Sequence, residues 1–223
     1  MLITDRWLSK VLKLNAYYSN DIIISEKIKK KKRVFITVKD KKVFKNLNKS
    51  KFKFIGKNII LKKKICKEKS LITNKIKFLI VSKKYKQKII NLCINNMRHS
   101  RFDLDKRVSK YQIRKIRTSW IMEYFKKKKM KNTHGMFLNN KLIGFVFLKI
   151  KKKNAIIDLI CIDKKYSGSG FGKYLILYLQ TYYNKFKNII VGTYTKNKKA
   201  LNFYKSNKFK TIYIYNVYHY YAK

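Results

Sequence analysis

The apolar runs of this chain are short in its first third and longer afterwards, and the pattern changes near residue 75. The first third contains runs of four or five apolar residues set between polar clusters, which is typical of short strands in a small domain. Residues 67–74 are polar and predict a linker. We therefore expect a small αβ lobe over residues 1–75, with strands at 34–38 and 58–61 and a short helix at 42–47 leading into Phe52.

The remainder, residues 76–223, has the periodicity of a larger mixed domain. Asn139-Asn140 between two apolar runs predicts a tight hairpin turn, and another tight turn is expected near Lys153-Asn154. The predicted elements, in order, are a strand at 78–81, helices at 86–97 and 108–125, a hairpin over 136–148, a strand at 155–162, a helix after residue 170, a strand from 189, a short helix after Asn197 and a terminal strand at 211–221.

The charge of the chain is extreme, with 58 basic residues against 10 acidic ones and a formal net charge of +48. Such a charge would ordinarily indicate binding to nucleic acid or to an anionic membrane surface. However, the basic residues are mostly lysine, proline is absent, and Ile, Asn, Tyr and Phe are abundant, as A/T-rich codons would produce. Base readout favours arginine, so we expect no specific nucleic-acid partner; a basic nucleic-acid-binding module is the less favoured alternative.

Several other functional classes are disfavoured by the sequence. No apolar stretch is long enough to span a membrane, and the first residues lack the layout of a signal peptide, which predicts a cytoplasmic protein. The cysteines are too widely spaced for a zinc site and suit reduced thiols, and the histidines lack metal-ligand spacing, so no metal is expected. These residues are Cys66, Cys93, Cys161, His99, His134 and His219.

The most informative motif is a run of alternating glycines, Gly168, Gly170 and Gly172, between an apolar run and a helical pattern. A glycine-rich turn that opens a helix presents free backbone N–H groups with no side chains in the way, which suits a phosphate or pyrophosphate. The spacing matches neither a P-loop nor a dinucleotide-binding fingerprint. The motif therefore indicates a phosphate-bearing cofactor of another kind, although a plain glycine-rich turn is the alternative.

Residues 167–172, Ser-Gly-Ser-Gly-Phe-Gly, resemble the acyl-CoA loop of the GNAT acetyltransferases, with Ser167 where the family has a basic or amide residue. Residues 189–209 continue the resemblance with a strand, Asn197, a short helix containing Ala200 and Tyr204, and Phe209 opening the last strand. The resemblance implies an α/β GNAT fold, a mixed and mostly antiparallel sheet flanked by helices, and acetyl-CoA as co-substrate. It assigns cofactor binding to Ile160, Ile162, Ser167, Gly168, Ser169, Gly170, Phe171, Gly172, Lys173 and Asn197.

The catalytic residues expected are Tyr204 and Asp158. The resemblance places Tyr204 beside the thioester sulfur, where its phenol would protonate the leaving thiolate; a core aromatic is the alternative. Asp158 is the one acid in an apolar run, and alternation places it on the same face as Ile160 and Ile162, as a general base acting directly or through water. An aspartate paired with one of the many lysines is the alternative.

A narrower resemblance involves the segment Ser100-Arg101-Phe102 and the N-terminal lobe. It resembles the GNAT branch that acetylates nucleotide-linked amino-deoxysugars, such as dTDP-fucosamine (dTDP-4-amino-4,6-dideoxygalactose). Arg101 would then bind the diphosphate of a small-molecule nucleotide amino sugar, although an arginine bonded to nearby carbonyls is equally consistent. A GNAT acting on a protein N-terminus or lysine is the alternative function, and the resemblance also implies a possible homodimer.

Overall fold

The strands of this protein pair edge to edge into one mixed sheet, in a computed structural model that describes residues 2–20, 28, 30–41, 52–66, 75–126 and 129–222. Within these residues the strands are β1 (Leu2–Thr4), β2 (Asn15–Ser19), β3 (Val34–Asp40), β4 (Phe52–Lys64), β5 (Ile76–Ile80), β6 (Thr133–Leu138), β7 (Lys141–Lys151), β8 (Asn154–Ile162), β9 (Asn188–Tyr194) and β10 (Lys210–Ala222). Their order across the sheet is β1-β2-β3-β10-β4-β9-β8-β7-β6-β5.

Helices cover both faces of the sheet. They are α1 (Arg6–Leu12), α2 (Lys86–Asn96), α3 (Arg101–Leu104), α4 (Lys110–Tyr124), α5 (Phe171–Tyr182) and α6 (Lys198–Ser206). The apolar sides of α5 and α6 bury Leu175, Leu179 and Leu201 in a core cluster on one face. On the other face, α2 and α4 bury Ile89, Ile121 and their neighbours in a second cluster. The sheet is thus the middle layer of three, and the apolar stripes of its helices fix which face each one covers.

Local sequence signals account for the ends of several elements. Ser109 begins α4 through a reciprocal capping box with Gln112, and each side chain bonds a backbone N–H that the helix leaves free. Asn139 and Asn140 both have positive φ, at 48° and 61°, which is the conformation that joins β6 and β7 in a two-residue hairpin. The hairpin prediction is confirmed, and the helices predicted at 86–97 and 108–125 are found as α2 and α4.

The strand β4 joins the two parts of the sequence. It comes from the first 75 residues, yet it lies between β9 and β10, pairing antiparallel with both. The sequence predicted a strand at 58–61 alone, whereas β4 begins at Phe52 and runs through Gly56. The predicted helix at 42–47 and linker at 67–74 lie outside the described residues. The division at residue 75 stays a prediction, but the sheet is continuous across it.

None of the helices in the described part of the chain has both the length and the apolar character needed to cross a membrane.

Candidate active site

The candidate site is a cleft that opens where two neighbouring strands part. Strands β8 and β9 pair in parallel from Asn154 with Asn188 to Ile157 with Val191. Beyond Ile157, β8 stays paired with β7, while the end of β9 pairs with β4. The edges that face each other across this gap therefore have backbone groups available to a ligand, and the cleft around them measures about 1400 Å³.

The direction of one hydrogen bond shows which groups of β8 face the gap. The N–H of Asp163 donates to the Ile143 carbonyl oxygen on β7, at 2.8 Å. Because backbone groups alternate along an extended strand, those of Ile162 and Ile160 point to the opposite edge, toward the gap. An extended chain containing amide groups could add to this edge as a strand would, which is the role predicted for both isoleucines.

The glycine loop between β8 and α5 needs its glycines for two different reasons. Gly168 and Gly170 have φ values of 90° and 77°, in the left-handed region, and a Cβ on either would meet no atom within 4 Å. Backbone conformation therefore selects glycine at these two positions. At Gly172 the reason is packing, since a Cβ there would lie 2.5 Å from Cε2 of Phe203 on α6.

Around this loop, free backbone donors collect in one place. Gly170 is the N-cap of α5 and gives no side-chain cap, so the first N–H groups of the helix remain available. Among the described residues, no hydrogen bond uses the N–H groups of residues 168–172, although the N–H of Lys173 donates to the Gly170 carbonyl oxygen. These donors, at the positive end of a helix, fit the diphosphate of an acyl-CoA.

Asn197 and Tyr204 approach the cleft from α6. The Asn197 side-chain oxygen accepts from the Ala200 N–H at 3.2 Å, so this residue is the N-cap of α6. Tyr204 is 3% exposed and packs against the rings of Phe203 and Phe209, yet it also lines the cleft. Burial raises the pKa of Tyr204, which keeps its phenol protonated and able to donate. Tyr204 thus combines the core position and the cleft position that the sequence left as alternatives.

Asp158 is held by three donors. Its Oδ2 accepts from Nε1 of Trp120 at 2.8 Å and from the Tyr124 hydroxyl at 2.6 Å. Its Oδ1 accepts from Nζ of Lys149 at 2.8 Å, which is the lysine pair named as the alternative to a catalytic role. A carboxylate has about four lone-pair sites, so three donors leave one for a substrate amine. Burial and the charge of Asp158 raise the pKa of Tyr124, which therefore remains a donor.

A β-bulge corrects the face predicted for Asp158. Phe147 pairs with Leu159 and Leu148 with Ile157, so Asp158 is an extra residue that faces no partner on β7. Ile160 packs on the cluster covered by α5 and α6, whereas Asp158 bonds to Trp120 and Tyr124 of α4 on the other face. The expected two-residue alternation fails here because the bulge interrupts it, and it turns Asp158 toward the helix that borders the opposite side of the cleft.

Arg101 lines the same cleft from α3. Its guanidinium lies over the rings of Phe102 and Tyr18, with 4.4 Å and 5.8 Å from Cζ to the ring centroids. Its Nε is buried and has no hydrogen-bond partner in the described structure.

The lining of the cleft is strongly cationic. Among the described residues, Asp158 is the one carboxylate that lines it, against Lys39, Arg98, Arg101, Lys173, Lys196, Lys198 and Lys199. This imbalance favours anionic ligands and disfavours cationic ones. No group of three or more His, Cys, Asp or Glu side chains that could hold a metal ion is found in the part of the chain that the structure describes.

The structure therefore brings together most of the residues singled out from the sequence. Those that line the cleft are Arg101, Asp158, Ile160, Ile162, Ser167, Gly168, Gly170, Phe171, Gly172, Lys173, Asn197 and Tyr204, while Ser169 is exposed and does not line it. Sequence reasoning missed the support for Asp158 from Trp120 and Tyr124. It also missed Lys39 and Asn58, which reach the cleft from strands of the first 75 residues. No local motif marks these positions.

Residues 101–209 match the family model described as "Acetyltransferase (GNAT) family". The match begins at Arg101 and includes the splayed strands, the glycine loop, Asn197 and Tyr204. No curated protein sequence matches the chain.

Solved structures support the same fold. A conserved protein of unknown function from Staphylococcus epidermidis superposes with a TM-score of 0.68 at 10% identity, covering 97% of this chain and 89% of that one. An acetyltransferase of the GNAT family from Colwellia psychrerythraea has a TM-score of 0.54 at 13% identity, covering 97% and 71%. A glucosamine N-acetyltransferase region of a fungal multi-domain β-N-acetylglucosaminidase has a TM-score of 0.58 at 9% identity, covering 82% of this chain and 25% of that protein. The GNAT fold expected from the sequence is confirmed.

Proposed function

We propose that this chain is an acetyltransferase of the GNAT family, whose model matches residues 101–209, that it uses acetyl-CoA as that family does, and that it acetylates the amino group of a nucleotide-linked amino-deoxysugar. The observation that carries the proposal is the convergence of three features in one cleft. The cleft is lined by a loop with free backbone donors, by an oriented carboxylate beside the parted strands, and by an arginine without an ion-pair partner among the described residues.

Acetyl-CoA, when bound, supplies an activated acetyl group as a thioester. The residues present fit it, since the loop N–H groups would bind the diphosphate and the free edge at Ile160 and Ile162 would pair with the amides of the pantetheine arm. One of the β8 N–H groups that face the gap would also donate to the oxyanion of the tetrahedral intermediate. A donor aimed at developing charge contributes about 3–4 kcal/mol to transition-state stabilisation.

Asp158 and Tyr204 carry the proton transfers in this proposal. The acceptor nitrogen forms a bond to the carbonyl carbon and loses a proton to Asp158, directly or through water, as the carbon–sulfur bond breaks. The Tyr204 phenol donates to the departing sulfur. Because burial raises the pKa of Tyr204 above that of a thiol, its first contribution is a hydrogen bond to the developing thiolate.

The acceptor class rests on charge and on resemblance. A cleft lined by seven cationic side chains and one carboxylate suits an acceptor that carries phosphate, and the guanidinium of Arg101 suits a diphosphate. A structural neighbour is named for glucosamine N-acetylation, which supports an amino-sugar acceptor. A lysine-rich peptide acceptor would be repelled by the same lining, so acetylation of a protein lysine or N-terminus is the second candidate. The dTDP-fucosamine identity, the cytoplasmic location and the homodimer stay predictions.

The test offers acetyl-CoA with a panel of dTDP- and UDP-linked amino-deoxysugars beside lysine-bearing and free N-terminal peptides. CoA release and mass spectrometry report transfer, with the Asp158→Asn variant as a control for uncatalysed acetylation. We expect one nucleotide sugar to gain a single acetyl group at a rate that Asp158→Asn strongly reduces. Acetylation of peptides alone would overturn the acceptor class and retain the family chemistry.

A further inference from the structure

The segment that carries Arg101 is fixed in place by ion pairs that do not involve Arg101. Ser100 and Asp103 form a reciprocal capping box at the start of α3. Asp103 also pairs with Arg117 on α4. Both carboxylate oxygens of Asp103 are therefore engaged, and α3 is anchored to the helix beside it.

The second carboxylate of this segment is also occupied. Asp105 is 1% exposed and accepts two hydrogen bonds from the Arg107 guanidinium and one from Nδ1 of His219 on β10. Burial alone would raise the pKa of Asp105, but these bonds hold it well below its usual range. Asp103 thus pairs with Arg117, and Asp105 pairs with Arg107 and His219. Within the described residues, neither carboxylate forms an ion pair with Arg101.

A second cation reaches the same place from the first part of the chain. The Lys39 ammonium at the end of β3 lies over the rings of Tyr18 and Tyr215, at 5.8 Å and 5.5 Å from their centroids. Although the side chain as a whole is exposed, burial around its ammonium lowers the pKa of Lys39, and the positive charge of Arg101 adds to this lowering. Asp5 acts in the opposite sense and more weakly, and its carboxylate caps α1 by accepting from the Leu8 N–H at 2.9 Å.

Close to these cations the cleft presents a buried acceptor with no partner. Asn58 on β4 is 8% exposed and lines the cleft beside Tyr194, and its Oδ1 has no hydrogen-bond partner in the described structure. A buried polar atom left unpaired costs about 1–3 kcal/mol, so such atoms in a cleft are typical of positions that a ligand completes.

We propose that Lys39 and Arg101 together form a subsite for a phosphate or diphosphate group of the acceptor, with Asn58 accepting a hydrogen bond from a donor next to that group. Two like charges held close together, with Asp103 and Asp105 paired to other groups, are stabilised when an anion binds between them. Two of these three residues, Lys39 and Asn58, come from the first 75 residues, so the N-terminal strands take part in acceptor recognition. The claim that this phosphate group belongs to the acceptor rests on the proposed function. The claim that a diphosphate binds at Lys39 and Arg101 does not depend on it.

The first experiment measures binding without turnover. Isothermal titration calorimetry with inorganic pyrophosphate and with thymidine diphosphate, on protein saturated with CoA, would measure the affinity of this subsite while CoA occupies the glycine loop. We expect Arg101→Gln and Lys39→Gln each to weaken binding by about 10- to 100-fold, as the loss of one charge-assisted contact should.

The matched control is Lys41→Gln, which removes the same charge two residues further on. The Lys41 ammonium lies over the Tyr213 ring and does not line the cleft. We expect Lys41→Gln to bind pyrophosphate like the wild type and Lys39→Arg to retain most of the affinity. Equal losses in Lys39→Gln and Lys41→Gln would assign the effect to overall charge and overturn the subsite, as would no detectable binding to the wild type. Unchanged CoA affinity and melting temperature would show that the variants are folded.

Steady-state kinetics separates this inference from the proposed function. With an accepted nucleotide sugar, Arg101→Gln and Lys39→Gln should raise KM for the acceptor and leave KM for acetyl-CoA unchanged. If a nucleotide sugar is acetylated and neither variant changes its KM, the function stands and the subsite falls. If pyrophosphate binds through Lys39 and Arg101 but no nucleotide sugar is acetylated, the subsite stands and the acceptor class falls.

Discussion

In the proposed function the cleft has a cofactor end and an acceptor end, and these would recognise their ligands by different means. The cofactor end is built from backbone: the N–H groups of residues 168–172 and the free edge of β8. The acceptor end is built from side chains that come from β3, β4, α3, α4 and β8, including Lys39, Asn58, Arg101 and Asp158. A backbone site is set by a short local sequence, whereas a side-chain site needs the whole fold in place. We expect the two ends to respond to substitution in different ways.

The largest effect should come from Asp158, which the proposed function makes the proton acceptor for the attacking amine. Asp158→Asn keeps the size of the side chain but removes the proton acceptor, so we expect kcat/KM to fall by about 100- to 10,000-fold with acetyl-CoA affinity retained. Lys149→Gln is the control, because its ammonium is 56% exposed and such pairs contribute about 0–1 kcal/mol. Similar losses in both variants would indicate that Asp158 acts through the ion pair.

Tyr204 tests whether a residue at the cofactor end takes part in chemistry. Tyr204→Phe removes the hydroxyl and keeps the ring that packs on Phe203 and Phe209. We expect kcat to fall by about 10- to 100-fold, because the developing thiolate loses its donor, while acetyl-CoA affinity and the melting temperature change little. An unaltered kcat would leave Tyr204 with a packing role alone.

The glycine loop should respond through cofactor affinity. In Gly172→Ala the new Cβ would lie 2.5 Å from Phe203, and we expect the dissociation constant for acetyl-CoA to rise by about tenfold as α5 and α6 separate. The second change Phe203→Leu should restore most of the affinity. The same second change should not rescue Gly168→Ala, whose cost of about 1–2 kcal/mol arises from its φ of 90°. Calorimetric titration of each variant with CoA would separate the two causes.

The last prediction concerns stability, and it compares two buried histidines, His134 on β6 and His219 on β10. The two ring nitrogens of His134 form hydrogen bonds with the hydroxyls of Tyr178 and Tyr183, and Nδ1 of His219 donates to Oδ2 of Asp105. Burial lowers the pKa of each from 6.5 to about 4. The unfolded chain therefore binds more protons between these values, so the free energy of unfolding is highest above pH 6.5 and falls as the pH decreases toward 4.

We expect each histidine to account for about 2–3 kcal/mol of that loss. Urea unfolding at pH 7 and pH 4.5 would measure it, and His134→Gln should have a shallower pH dependence than the wild type. An equal slope in the variant would contradict the assignment to His134. His219→Gln should have a second effect that His134→Gln lacks. It removes the hydrogen bond from His219 to Asp105, which should loosen the segment that carries Arg101 and weaken pyrophosphate binding.

The sequence predicted the cofactor end of this molecule much better than the acceptor end, for a physical reason. Glycines spaced for a turn, a capping asparagine and alternating apolar residues are local signals, so the loop, α5, β9 and α6 could be located from them. Simple alternation predicts the wrong face for Asp158, because a bulge reverses the direction of its side chain. The bulge arises from the register between β8 and β7, which the sequence of β8 alone does not show. Lys39 and Asn58 become neighbours of Arg101 through pairings between distant strands, which periodicity does not encode. The roles assigned to these residues stay predictions.

The insertion of β4 between β9 and β10 has a consequence for how the chain folds during synthesis. Residues 52–64 leave the ribosome early, but their two partners are residues 188–194 and 210–220. The strand therefore stays without its two partners until residues 188–220 have also been made. Such long-range pairing slows folding and exposes strand edges to aggregation. The lysines along β4 offer protection during that delay, since charged residues on an open edge disfavour pairing with other chains.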